Sequence, residues 1–179
     1  MKDNKIQMTQ NESLSKVDEK FYELKKNKKL ALMPFIMAGD PNIEKTSEIL
    51  LKLQENGADL IELGIPYSDP LADGPVIQVA ASRALKSGTT PRKVITLLES
   101  LKDKLNNPII LFTKLNPLLC FGFEQFCDMA SNAGVSGLII PDLPLEEAYK
   151  FSKIVSNHSL DLILFSPFLN LRLKGSGKG

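Results

Sequence analysis

The feature that most constrains this chain is a rhythm. Short, almost wholly apolar runs alternate with amphipathic stretches of helical period, and no hairpin signal lies between them. The apolar runs fall at Leu30–Ala38, Asp59–Leu63, Pro108–Phe112, Val135–Ile140 and Leu160–Phe165. Between them, Ile43, Thr46, Ile49, Leu50 and Leu53 keep helical spacing in Asn42–Glu55, as do Val94, Leu97, Leu98, Leu101 and Leu105 in Pro91–Leu105. Further helices are expected at Val76–Lys86, Phe123–Ala133 and Glu146–Asn157, with Gly57, Gly88 and Gly134 as stops. Strands that are near-continuously apolar must be covered on both faces. Strands joined only through helices must run parallel, so the pattern predicts a parallel sheet wrapped by right-handed crossovers.

Two architectures satisfy that pattern, an open doubly wound sheet and a closed barrel. The turn after the first strand reads Ala38-Gly39-Asp40-Pro41-Asn42, and no GxGxxG occurs in the chain, which argues against a dinucleotide site. A (β/α)₈ barrel takes about 250 residues. With 179 residues and five strands, starting near 33, 59, 109, 136 and 160, the chain would supply about five of the eight βα units of such a barrel. The expected organisation is a mobile polar segment over 1–14, one α/β domain over 15–168 (a partial barrel if the closed architecture holds), and an atypical, disordered tail over 169–179. Inside that domain a first helix starts at Ser15, with Val17, Phe21 and Leu24 on one face. The tail sequence GSGKG lacks the spacing and the strand–turn–helix context of a phosphate-binding loop.

Composition removes several function classes. Twenty-two basic residues balance 21 acidic ones for a net charge of +1, which leaves no electrostatic footprint for nucleic acid or an anionic membrane. One histidine, His158, excludes a histidine-rich metal site, and two cysteines cannot form a disulfide framework. Cys127 shares a helical face with Phe123 and Ala130 and is expected to be buried, while Cys120 is expected in a loop or cap. No run of 18 apolar residues is present. The first 29 residues are too acidic for a leader or transit peptide. The expected location is therefore the cytoplasm, or the plastid stroma if the gene is organellar, as 19 lysines against three arginines hint.

The densest chemistry lies in Ile61-Glu62-Leu63-Gly64-Ile65-Pro66-Tyr67-Ser68-Asp69-Pro70-Leu71-Ala72-Asp73-Gly74-Pro75. Glu62 falls at the C-terminal end of the second strand, where parallel α/β folds gather their catalytic groups. Apolar neighbours disfavour the ionised carboxylate, so its pKa is expected to rise toward neutrality, as a proton shuttle requires. Asp73 lies beyond a proline-stiffened loop that could close over a ligand. The same residues admit a structural reading, with Glu62 ion-paired and Asp69 or Asp73 forming a turn or helix cap. The residues alone do not choose between the two.

The stretch ELGIPYSDPLADGP resembles the signature of the tryptophan synthase alpha subunit family. MPFIMAGDPN, ALKSGTT and NAGVSGLIIPDLPLEE resemble its first strand and turn, the segment after its second helix, and its fourth strand and loop. The likeness runs from about Leu32 to Ser166. It implies a TIM-barrel lyase that cleaves indole-3-glycerol phosphate to indole and glyceraldehyde 3-phosphate by a retro-aldol step in tryptophan biosynthesis. By position, Glu62 matches the acid–base glutamate and Asp73 the second catalytic acid. Phe35, Phe112 and Ile139 fall where side chains line the indole pocket. Pro66 and Asp69 match positions near the contact with a beta subunit, in an α₂β₂ tetramer through which indole passes by a tunnel. The resemblance implies no metal and no cofactor in this chain, the pyridoxal phosphate belonging to the beta partner.

Four features depart from the family pattern or stand outside it. Lys114 replaces an aromatic residue after the third strand. The run after the fifth strand is unlike the family's, which is expected to expose a sheet edge and to remove the phosphate-binding loops. The chain is accordingly expected to be truncated or frame-altered after Ser166, and its alternative reading is an inactive alpha-like fragment that binds or modulates a beta subunit. Asp142 is a candidate support for Glu62 from a neighbouring strand end, and His158 is expected at a helix end.

Overall fold

The structure is a computed structural model that describes residues 14–69 and 73–164, and the backbone of 172 and 173. Its elements are α1 (Lys16–Lys26), β1 (Phe35–Met37), α2 (Ile43–Glu55), β2 (Ile61–Gly64), α3 (Pro75–Lys86), α4 (Pro91–Leu101), β3 (Ile109–Phe112), α5 (Leu115–Phe121), α6 (Phe123–Asn132), β4 (Gly137–Ile139), α7 (Leu145–Asn157), β5 (Asp161–Ile163) and β6 (Arg172–Leu173). The expectations for 1–13, for the loop at 70–72 and for most of the tail fall outside the described residues.

The first five strands pair in parallel and in chain order, β1-β2-β3-β4-β5. A doubly wound sheet reverses its strand order partway; a barrel does not. The register sorts the side chains into two faces. Ile36, Leu63, Leu111, Leu138 and Leu162 form one row and pack with residues of α2, α4, α6 and α7 in the main core. The other face has two layers: Phe35, Glu62, Ile110, Gly137 and Asp161, then Met37, Gly64, Phe112, Ile139 and Ile163. Val17 of α1 packs with Leu60, Ile110 and Ile139 on this inner face. Layers inside with α2, α4, α6 and α7 outside describe an arc of a barrel, and α3 packs through Ala80, Ala81 and Ala84 against Met37 and Phe35 of the inner face.

Local sequence accounts for the helix boundaries. Ser15, Asn42 and Thr90 cap α1, α2 and α4, each side-chain oxygen accepting a backbone N–H three residues on. Pro75 and Pro91 occupy first-turn positions, where a missing N–H costs nothing. Burial pushes the Cys127 thiol up to about 12, with Glu124 adding to the shift, which leaves that sulfur an inert part of the core.

The structure corrects several expectations. α5 was not expected from the pattern, because seven residues containing a proline show little periodicity. Pro117 falls in its first turn, where no N–H is needed. Cys120 therefore lies on a helix, exposed, rather than in a loop. α4 stops at Leu101 instead of Leu105, although Leu105 still packs on the core. Phe21 is 47% exposed while Val17 and Leu24 are buried, since among the described residues only part of the α1 stripe is covered. The edge of β5 is not bare: β6 pairs with it antiparallel, Leu162 opposite Leu173 and Ile163 opposite Arg172. Two residues of the expected disordered tail are thus a strand.

The turn after β1 is fixed by side chains. Thr46 Oγ1 accepts the Gly39 N–H at 2.8 Å, and Ser87 Oγ donates to the Gly39 carbonyl at 3.0 Å. Arg83 donates to both Asp40 carboxylate oxygens at 2.7 and 2.6 Å. These bonds hold the Asp40 carboxyl below its usual range, with burial opposing them. Gly39 has φ +83°, and a Cβ there would lie 1.8 Å from Thr89 Oγ1. Gly39→Ala is expected to destabilise the fold by about 2–4 kcal/mol, from the left-handed backbone and the overpacking together. Urea unfolding measures it, and a loss below about 1 kcal/mol would mean that the turn relaxes freely.

Candidate active site

Glu62 takes its position from strand alternation. Ile61 and Leu63 are fully buried toward the helices, so Glu62 must face inward, between Phe35 of β1 and Ile110 of β3. The layer above it, toward the strand C-termini, has Gly64 on the same strand. A Cβ at Gly64 would sit 2.7 Å from Phe35 Cζ, so this glycine is what lets the Phe35 ring lie over β2. Phe35 meets Phe112 edge to face, with centroids 5.8 Å apart. Ile139, 4% exposed, follows Phe112 in the same layer. Glu62 is thus a partly buried carboxyl beside an apolar, mostly aromatic wall. Desolvation pushes its pKa above the usual carboxylate range.

Asp73 reaches the same end of the sheet by another route. Its Oδ1 is 3.9 Å from Nζ of Lys114, the residue two beyond Phe112, and both side chains are largely withdrawn from solvent. Gln78 Nε2 donates to the Asp73 carbonyl at 2.8 Å. The N-cap of α3 is Gly74, so capping does not account for the Asp73 carboxylate. Tyr67, on the segment after β2, accepts a hydrogen bond from Asn116 Nδ2 of α5 at 3.2 Å, which ties that segment to the end of β3. Pro66 is buried and Asp69 exposed.

Asp142 does not support Glu62. Its Oδ1 accepts the Leu115 N–H at 3.0 Å and satisfies the first turn of α5. His158 is the C-cap of α7, with Nδ1 3.9 Å from Asp128 Oδ1. No group of three His, Cys, Asp or Glu is placed to hold a metal among the described residues. No described helix is long and apolar enough to cross a membrane. The reading of the sequence missed the partner of Lys114. The available signal was a lone lysine two residues after an apolar strand end, which needs an anion if its head is not in water.

A parallel arc in chain order, with α2, α4, α6 and α7 on its outer face and polar side chains gathered near the strand C-termini, defines a chain of the TIM-barrel class. Comparison with known proteins narrows the class. The model of the family described as "Tryptophan synthase alpha chain" matches residues 21–172. The tryptophan synthase alpha chain of Prochlorococcus marinus subsp. pastoris is 76% identical over 165 residues, 92% of this chain and 59% of the relative. That of Synechococcus elongatus is 50% identical, over 84% of this chain and 57% of the relative. Among solved structures, tryptophan synthase subunit alpha from Legionella pneumophila superposes with a TM-score of 0.82 at 39% identity, over 84% of this chain and 58% of that one. Ligand-free tryptophan synthase from M. tuberculosis gives 0.80 at 32% identity. The chain belongs to the tryptophan synthase alpha chain family, and it spans about three fifths of the length of the relatives it matches.

Proposed function

We propose that this chain carries the acid–base half of an alpha-type lyase site, in which indole-3-glycerol phosphate is cleaved to indole and glyceraldehyde 3-phosphate. The observation that carries the reading is Glu62, an inward-facing carboxyl whose pKa is raised by burial beside the Phe35–Phe112 ring pair. A retro-aldol step needs an electron sink next to the bond that breaks. Protonating indole C3 makes that sink from the ring itself, with the positive charge at N1. Removal of the glycerol hydroxyl proton then releases the aldehyde as the C3–C bond breaks, and the bonding pair restores the neutral aromatic ring. Glu62 moves these protons. Asp73 accepts the indole N–H and stabilises the charge at N1, while Phe35, Phe112 and Ile139 form the apolar wall. No cofactor is required of this chain; pyridoxal phosphate belongs to a beta partner, with which an α₂β₂ tetramer would form. Of the two partner-contact candidates, exposed Asp69 is the one accessible to such a chain. The Prochlorococcus and Synechococcus relatives are cyanobacterial, and the reading places the chain in the cytoplasm, or in the plastid stroma for an organellar copy.

The test joins the chain to the remaining two fifths of the Prochlorococcus relative and follows indole release from indole-3-glycerol phosphate. Asp73→Asn is expected to lower kcat about a hundredfold, the loss typical when one group stabilising transition-state charge is removed. Full turnover in that variant would remove Asp73 from the mechanism. Stimulation of a beta subunit with no lyase turnover would favour instead an alpha-like modulator.

A further inference from the structure

We propose that Lys114 is a resident counter-ion of Asp73, competing with a ligand's ring N–H for the carboxylate and so setting how tightly the site holds a neutral nitrogen heterocycle. The inference rests on the function proposed above. Its basis is an ion pair where local structure disfavours a cation. The Lys114 side chain is 11% exposed and that of Asp73 18%, with Nζ 3.9 Å from Oδ1. Lysine is seldom buried without a partner, and among the described residues Asp73 is its ion-pair partner. Lys114 is also the N-cap residue of α5, at the end of a helix where the macrodipole favours negative charge. The first turn of that helix takes a carboxylate from Asp142 instead. Backbone geometry therefore gives no reason for an ammonium at 114, and the carboxylate facing it does.

The consequence for recognition follows from the proposed role of Asp73. An N–H that approaches Asp73 must share or displace an ammonium already beside it, and both side chains are largely withdrawn from the solvent that would weaken that attraction. A ring that becomes positive at N1 meets the same ammonium as a repulsive neighbour. Lys114 thus acts through Asp73 as a positioning and specificity-determining residue, lowering affinity for a neutral N–H donor.

The experiment uses the 179-residue chain as wild type, Lys114→Met, Lys114→Arg, Asp73→Asn and the Lys114→Met/Asp73→Asn double variant. The chain contains no tryptophan, so indole is titrated through its own fluorescence. Urea unfolding of the same proteins reports whether each is folded and whether the two positions couple. Lys114→Met is expected to bind indole about three- to tenfold more tightly, the scale of one recovered hydrogen bond. The gain should vanish in the Asp73→Asn background, and Lys114→Arg should keep the weak wild-type affinity. Equal indole affinity in wild type and Lys114→Met overturns the inference while leaving the proposed site intact. So does a gain that persists without the Asp73 carboxylate, or strict additivity in urea. Absence of indole binding in every folded variant overturns the proposed function, and the inference with it.

Discussion

Glu62→Gln is expected to lower turnover of indole-3-glycerol phosphate by about 10²- to 10⁴-fold, the usual worth of a positioned general acid–base group. The loss should fall on kcat, because glutamine keeps the size and most of the polarity of the side chain while losing the transferable proton. The same change is expected to stabilise the fold at neutral pH. Burial raises the pKa of Glu62 in the folded protein. A carboxyl raised on folding contributes stability below its unfolded pKa, and that contribution is lost as the pH climbs through the folded value. Wild type is therefore penalised above that window and glutamine is not. The difference in Tm between variant and wild type should grow across the window and stay flat on either side of it. Thermal melts of the 179-residue chain over a pH series measure this without any need for catalysis. A difference in Tm independent of pH would show that desolvation of Glu62 is not what the fold tolerates there, and the argument for a proton shuttle would lose its physical basis. An activating loss of stability is the expected pattern at a site that keeps a charge-bearing group out of water.

How much of this was legible before the fold was known depends on which force decided each element. The five parallel strands and most of the helices follow from hydrophobic period, which burial enforces directly: Ile61 and Leu63 are buried toward the helices because the pleat leaves them no other face. The same alternation makes Glu62 inward-facing, so its exceptional position is readable from its neighbours. Chain-order pairing, which separates a barrel arc from a doubly wound sheet, is a property of the assembled sheet and was left open by the spacing alone. α5 escaped because its seven residues are held by contacts with α6 and by a cap from Asp142, 27 positions away. The Lys114–Asp73 pair escaped for the same reason, since it joins two segments 41 positions apart in sequence (114 − 73). The role of Asp142 stayed open because a strand-end acid can serve either a pocket or a helix N-terminus, and only its orientation decides. Long-range polar contacts of this kind are what a linear pattern does not carry.

Phe126→Ala is expected to have the largest effect on stability, about 3–5 kcal/mol, the usual range for deleting a buried phenyl ring. Phe126 is fully buried in α6 and meets Phe121 edge to face at 5.7 Å. Phe121 ends α5 and has the Arg92 guanidinium 5.2 Å from its ring centroid. The ring is thus the floor on which α5 rests, and α5 is too short to be stable without it. Urea unfolding should show the lowered midpoint with an unchanged slope. Amide exchange in the variant should quicken first in α5, before the strands. That order ties packing to the site. Lys114 and Leu115 open α5, Asn116 donates to Tyr67 on the segment after β2, and Asp142 holds the Leu115 N–H. A loosened α5 should therefore also weaken the effect of Lys114→Met on indole affinity, since the ammonium would no longer be held against Asp73. Uniform exchange across the variant, with the Lys114 effect intact, would show that the end of β3 positions Lys114 without help from the helix.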